Sequence, residues 1–408
     1  MASTSFAPLR HRSFRLALTS SFVSSTGTWM QSVAMGVYLQ TTTHNPTWLG
    51  LVTMAGWMPS LLASPIGGAL ADRRRRQLII QLCNIAMALA ATALAILVLT
   101  NRLSPGIAVS LAIVEGFASA ASWASWQSLL RDLVEVDEVM AAVSLSSAQF
   151  NLGRVIGPLL AGVVLALGSP GWCFVVNAIT FYFVVVAYLG VRSRPREIAP
   201  TEHRLFEQIQ HGARTAWRTA GTRSPIVLVA MVAFILSPFI AFVPTMAIEI
   251  FHAGATGTSW LVTAQGVGAV IAAVGMPSVA RRTSRLAVIE GSLVAMIAAT
   301  VAYALAPTLV FSVVAMVVLG GAYIGALTGL NSTVQLLAPA AERSRILSLY
   351  TMSLSLAYPL GAFLQSFVVK GWGLRETTAS SAVVMATLFA LLRWRRPDFF
   401  RVMGTTEK

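Results

Sequence analysis

The chain alternates long apolar runs with short polar breaks, and the alternation recurs along all 408 residues. The runs lie near 14–40, 47–71, 77–100, 105–128, 139–167, 170–191, 225–251, 257–279, 286–306, 308–336, 344–369 and 374–394. A helix crosses a bilayer core with about 20 apolar residues, and these runs are of that order. Inside lipid every backbone N–H and C=O must find a partner within the protein, which makes helices the expected element. A membrane barrel would instead show alternating segments of about ten residues, and these runs are continuous. The pattern predicts an all-α polytopic membrane protein of twelve spans.

The longest polar stretch, 192–224, divides the chain into a six-helix bundle at 1–191 and a second at 225–408. Within it Leu205, Phe206, Ile209, Ala213, Ala216 and Trp217 recur at helical spacing among Arg204, Arg214 and Arg218. This reads either as an amphipathic helix on the inner leaflet or as a solvated linker. The halves resemble each other. "GALADRRRR" at 68–76 and "GMPSVARR" at 275–282 both close a second span with a glycine and arginines. "LLRDLVEVDEVM" at 129–140 and "LLAPAAERSRIL" at 336–347 both follow a fourth span. A weak repeat of this kind is what a two-bundle transporter produces.

Composition supports lipid as the solvent. Only 11% of residues are charged and 56% are hydrophobic, where a soluble domain carries about 25% charged residues. The net charge of +14 would suggest nucleic acid in a soluble protein, but its distribution argues against that partner. With the N-terminus inside, only Arg102, Lys370 and Arg375 fall outside, and Arg154 lies within a span. All other Lys and Arg residues are cytoplasmic, which predicts both termini and the 192–224 linker on the inside. The first residues, with Arg10, Arg12 and Arg15, run into a full-length apolar segment without a cleavage pattern. Cys83 and Cys173 sit in apolar runs and read as core residues. The preference for Arg over Lys hints at a GC-rich bacterium, and the expected location is the bacterial cell (inner) membrane.

The loop "GALADRRRR" resembles the signature between spans two and three of the major facilitator superfamily, approximately Gly-x-Leu-Ala-Asp-Arg-x-Gly-Arg-Arg. Gly68, Leu70, Ala71, Asp72, Arg73 and Arg76 match, and Arg75 replaces the second glycine. "LRHRSFRLAL", "GTWMQSVAMGVYL", "NLGRVIGPLLAG" and "FVVNAITF" narrow the likeness to an exporter branch that includes the enterobactin exporter and macrolide and tetracycline efflux pumps. The resemblance implies the major facilitator fold. It also implies that Asp72 meets the start of span eleven near Glu342, where free N–H groups favour an anion. The arginines either pair with Asp132, Glu135, Asp137 and Glu138 or enforce topology and bind anionic lipid. Gly153, Gly157, Pro158 and Gly162 resemble the glycine-proline signature of exporters, with Ser144 where glycine is usual; close helix packing would use the same residues.

Charges within spans are costly, about 2.5–3.5 kcal/mol even on the lenient insertion scale. Glu115 and Arg154 both fall near the midplane. Glu115, Ser119 and Ser122 share one helix face, as do Ser147, Asn151 and Arg154. The two charges are candidates for proton coupling, for a permanent structural pair, or, for Arg154, for a substrate contact. Glu290, near Arg285, reads as a local ion pair. In this fold spans one, four, seven and ten line the cavity. Ser24, Thr28, Gln31, Ser119, Asn151 and Tyr323 are the lining candidates, suited to an amphipathic solute.

No phosphate-binding loop, metal cluster or nucleophile triad is legible, so no cofactor and no enzymatic activity are expected. The sequence reads as a monomeric secondary transporter in the lipid bilayer that exports a small amphipathic drug, siderophore or other natural product by proton antiport. Uptake or lipid facilitation by the same fold is the alternative, and a membrane-embedded sensor is a more distant one. Reporter fusions at Asn45, His211 and Gly404 are expected to read outside, inside and inside; an outside reading at His211 contradicts the twelve-span topology.

Overall fold

The computed structural model describes residues 6–61, 63, 76–193, 220–339 and 342–404. Its helices are α1 (Arg12–Thr43), α2 (Pro46–Trp57), α3 (Arg76–Leu99), α4 (Pro105–Leu130), α5 (Val139–Leu167) and α6 (Gly171–Leu189). They continue as α7 (Ala220–Met231), α8 (Gly254–Arg282), α9 (Arg285–Ala304), α10 (Leu309–Leu337), α11 (Arg343–Trp372), α12 (Leu374–Arg395) and α13 (Pro397–Gly404). No β-strand occurs among the described residues. Ten helical segments there, one of them the interrupted stretch Gly221–Ile250, are long and apolar enough to cross a membrane. Of the other expected spans, α1 is 32 residues long but rich in serine and threonine. The run at 47–71 continues past α2 outside the described residues, together with Gly68, Asp72 and Arg73. The linker residues 194–219, with the expected amphipathic helix, also lie outside them.

Local signals set the helix ends. Ser104, Ser284 and Thr308 accept from the backbone N–H groups of Ile107, Ala287 and Phe311, capping α4, α9 and α10. His44 closes α1 in the left-handed region at φ 47°, and His252 takes φ 51° at the corresponding place after the seventh span. Hydroxyls inside α1 are satisfied locally. Thr26, Thr28 and Ser32 donate to the carbonyls of Phe22, Ser24 and Thr28 at 2.9 Å each.

The run at 225–251 departs from the continuous helix that its hydropathy predicts. After α7 the chain passes through a π turn at Val232–Leu236, a 3-10 turn at Ser237–Ile240, a short helix at Val243–Thr245 and a second π turn at Met246–Ile250. Pro238 and Pro244 cannot donate, which breaks the regular ladder. The released acceptors are taken up by side chains. Gln365 of α11 donates to the carbonyls of Phe234 and Ile235, both at 3.0 Å, and Ser237 Oγ donates to Val232 O at 3.1 Å.

The chain forms two compact units. The first contains 1–44, 55–201 and 254–260, and the second 45–54, 202–253 and 261–408. The first unit packs Phe14, Trp126, Leu129, Leu130 and Tyr188 into one core and Met87, Ala88, Ala91 and Phe181 into another. The second has a larger core around Leu228, Leu236, Leu293, Met296, Tyr303 and Met316. The short helix α13, not anticipated from sequence, buries Phe400 and Met403 in that core and receives Arg285 Nε on Met403 O at 2.8 Å.

Matching glycine contacts hold the fifth helix of each half against its first. A Cβ on Gly157 of α5 would stand 2.6 Å from Thr26 O and 2.6 Å from Trp29 Cβ of α1. A Cβ on Gly361 of α11 would collide with the Phe234 carbonyl. In both places small size lets the backbones meet. Gly291 of α9 is different, because nothing lies within 4 Å of its Cβ position. Gly157→Ala is expected to cost about 1–3 kcal/mol through overpacking. Gly291→Ala should be neutral or stabilising by up to about 1 kcal/mol. Thermal unfolding of the purified variants checks this, and equal effects of the two changes would contradict the seam.

Candidate functional site

Four polar side chains from three helices of the first unit form a single directed chain. Thr180 Oγ1 on α6 lies 2.8 Å from the Asn177 backbone carbonyl and 3.0 Å from Asn177 Oδ1, so its one proton is shared between the two acceptors. Asn177 Nδ2 donates to Gln31 Oε1 on α1 at 2.8 Å. Gln31 Nε2 donates to both carboxylate oxygens of Glu115 on α4, at 2.9 and 2.7 Å. Asn177, Gln31 and Thr180 are buried, and Glu115 is half-buried. Each amide turns its N–H group to the next acceptor, so the N–H groups of Asn177 and Gln31 both run toward the carboxylate. Such networks polarise along their length and hold each member in one orientation.

Packing brings the chain together. A Cβ on Gly27 would stand 2.5 Å from Asn177 Oδ1 and 2.6 Å from Thr180 Oγ1, so α1 meets α6 through a residue with no side chain. Gly116, next to Glu115, is similarly closed by the backbone of Gly56. Sequence reading singled out Gln31 as a cavity residue and Glu115 as a charge, but gave Asn177 and Thr180 no role. The available signal was an asparagine and a threonine at i and i+3 in the otherwise apolar "FVVNAITF".

Arg154 sits elsewhere. Among the described residues no ion pair joins it to Glu115. Its guanidinium carbon lies over the Trp29 ring, 5.3 Å from the centroid. Trp29 meets Phe150 edge-on at 6.2 Å, and Phe150 meets Trp123 at 5.7 Å. Phe150, Gly153, Arg154 and Gly157 follow one another at i, i+3, i+4 and i+7 along α5. The glycines that admit α1 therefore also place Trp29 beside Phe150 and Arg154.

The other candidates divide by burial. Thr28 and Ser119 are exposed, Ser24 and Asn151 half-buried, and Asn151 Nδ2 donates to Ser147 O at 2.8 Å. Tyr323 lies in the core of the second unit, and Pro158 is buried within α5. A Cβ on Gly162 would stand 2.9 Å from Ser259 Cβ.

Acidic residues anchor the end of the first unit where α1 begins. Arg76 pairs with Asp132 and donates to Ser128 O at 3.3 Å. Glu138 takes its partners from the segment ahead of α1, Arg10 at 2.5 Å and His11 Nε2 at 2.6 Å. A cavity of about 180 Å³ beside them is lined by His11, Arg12, Asp132, Glu135 and Arg192. It is separate from the Glu115 chain. In the second unit Glu290 pairs with Arg393 of α12 at 3.0 Å, correcting the expectation of a local pair near Arg285. Helical spacing gives neighbours on one helix, and here the nearer cation comes from another.

Removing Asn177 strands Gln31 Oε1 and costs about 1–3 kcal/mol, the usual penalty for an unpaired buried polar group. A double-mutant cycle with Asn177→Ala and Gln31→Ala should return a coupling energy of about 0.5–3 kcal/mol in thermal unfolding. Strictly additive effects would contradict the chain.

Comparison with known proteins agrees with this architecture. The sequence model of the transmembrane secretion effector family, MFS_3, matches residues 3–402. The chain is 25% identical over 405 residues to the enterobactin exporter EntS of Citrobacter koseri, covering 95% of this chain and 94% of that one. It is 29% identical over 181 residues to the staphyloferrin A transporter of Staphylococcus aureus, covering 44% of this chain and 46% of that protein. That second match thus spans about half the length of the relative. Among solved structures, a bacterial homolog of the human lysosomal transporter Spinster, inward-facing and unoccupied, aligns with TM-score 0.70 at 16% identity, covering 96% and 97% of the two chains. The nucleoside transporter NupG aligns with TM-score 0.72 at 14% identity, covering 97% and 100%. At these identities the likeness is one of fold. The chain belongs to the transmembrane secretion effector family of the major facilitator superfamily, whose fold is that of multi-pass membrane transporters rather than of enzymes.

Proposed function

We propose that this protein exports a small amphipathic compound, such as a drug, a siderophore or another natural product, across the bacterial cell membrane in exchange for protons. Both termini are cytoplasmic in this reading. The observation that carries it is the directed chain ending on Glu115. The name of one relative, an enterobactin exporter, supports outward movement, and that of another, a staphyloferrin A transporter, supports transport of a small compound.

The chemistry follows from donor and acceptor counting. Ionised Glu115 only accepts, and both of its oxygens receive Gln31 Nε2. Protonation converts one oxygen into a hydroxyl donor, which then faces an N–H donor. The other oxygen still accepts from Gln31 Nε2, so the shared contact narrows to a single one and the Gln31 amide gains room to re-aim. Asn177 holds the other end of that amide, so the change passes to α1 and α6 together. A carboxylate inside the membrane that exchanges its proton for a rearrangement of two helices has the properties of a coupling group.

The test is pH-driven accumulation of a panel of fluorescent amphipathic dyes in proteoliposomes. Wild type and Glu115→Gln are reconstituted at equal density. Wild type should concentrate at least one dye when a pH difference is imposed. The Gln variant should let that dye equilibrate without concentrating it. Undiminished accumulation by the variant removes Glu115 from coupling.

A further inference from the structure

We propose that the contact between His11 and Glu138 is a pH-sensitive lock, which pins the segment ahead of α1 to the start of α5 when His11 is protonated and loosens when it is neutral. The lock stands apart from Glu115 and from the identity of the transported compound.

The first argument is geometry. His11 is the residue before α1 and Glu138 the residue before α5, 127 positions apart in the chain. His11 Nε2 lies 2.6 Å from one carboxylate oxygen of Glu138, and Arg10 Nη2 lies 2.5 Å from the other. The side chain of Glu138 is 4% exposed, that of His11 25% and that of Arg10 65%. Water and salt screen the pair that an exposed arginine makes, so it contributes little. The more enclosed histidine is the partner whose charge weighs more.

The second argument is titration. Protonated His11 brings a positive charge and an N–H group at Nε2. Neutral His11 loses the charge, and with its proton on Nδ1 it sets a lone pair against the carboxylate. The charged neighbours do not share this change. The segment and α1 carry Arg10, Arg12 and Arg15, and the connection from α4 to α5 carries Arg131, Asp132, Glu135 and Asp137. Arg76 of α3 pairs with Asp132, and Arg192 follows α6. Of these residue types only histidine ordinarily changes charge between about pH 5 and 8. A proton can reach it, because His11 lines the cavity of about 180 Å³ together with Ser13, Asp132 and Arg192. Charges of both signs gather there, where α1 begins and α4 and α6 end, which places the cavity outside the hydrocarbon.

The third argument is how little else holds the segment. It is a single 3-10 turn, Ala7–Arg10, that buries Pro8 and packs Leu9 against the first core. Phe6 is 66% exposed, and Arg15 Nη1 reaches Leu9 O at 3.3 Å. A segment with few buried apolar contacts opens at low cost, so one charge-assisted contact decides whether it stays docked. The lock acts on the same two helices that meet through Gly153 and Gly157. Proton occupancy of His11 thus sets how firmly that seam is tied at its end.

Electron paramagnetic resonance of a nitroxide on Phe6→Cys tests this, in full-length protein carrying Cys83→Ala and Cys173→Ala and reconstituted in nanodiscs. The labelled parent should give an immobilised spectrum at about pH 5.5 and a mobile component that grows roughly threefold or more by about pH 8. His11→Gln keeps a donor without the titration and should give one spectrum at both pH values. Glu138→Gln should raise the mobile component at the lower pH toward the level the parent reaches at the higher. Equal mobility of the parent at the two pH values overturns the proposal, and that result needs no variant to fold. A pH transition that survives in His11→Gln overturns it as well.

Discussion

A carboxylate within a membrane span must be satisfied by the protein, because no solvent in the hydrocarbon can do it. The first unit meets this constraint with amide and hydroxyl groups instead of a counter-charge. Gln31, Asn177 and Thr180 bring a line of donors from α6 through α1 to Glu115 on α4. A fixed cation would hold the carboxylate mainly by charge. A glutamine holds it by geometry, and geometry changes when one oxygen becomes a donor. In the proposed reading, a single proton on Glu115 would alter the contact between α4 and α1.

The rest of the architecture serves close approach. Gly27 allows α6 to reach Gln31, and Gly157 brings α5 onto α1. The second half repeats the contact with Gly361 against the Phe234 carbonyl, yet there the first helix of the bundle is broken. Its π and 3-10 turns release carbonyls that Gln365 collects. The halves share a packing plan and differ in what their first helix carries: polar side chains in α1, and an irregular backbone after α7. The first is a means of holding charge. The second places conformational irregularity where a regular ladder would have been stiff.

Much of this was legible in the chain. The spans followed from continuous apolar runs, and α5 occupies the same residues, Val139–Leu167, that hydropathy outlines. Glu115 and Arg154 stood out because the cost of a charge in lipid is large compared with any propensity. Their relation did not, since equal depth on two helices leaves their rotation about their axes undetermined. The structure turns Glu115 toward α1 and sets Arg154 on Trp29. Asn177 was visible within "FVVNAITF" as part of a likeness, but its partner lies 146 residues away. The amphipathic α13 escaped because eight residues are too few for periodicity to stand out. The breaks after α7 left only Pro238 and Pro244 as signs, and a proline in a span can kink a helix as readily as unwind it.

Infrared difference spectroscopy of reconstituted protein across a pH step tests the central claim most directly, because it observes the carboxyl group and the amides at once. The account predicts that acidification produces the carbonyl band of a protonated carboxylic acid, that Glu115→Gln abolishes it, and that a side-chain amide band shifts in the same step. Replacing Gln31 with leucine should remove the amide shift while leaving a carboxyl band at an altered frequency. A carboxyl band that is unchanged in the Glu115 variant, or an amide band that ignores the proton, would contradict it.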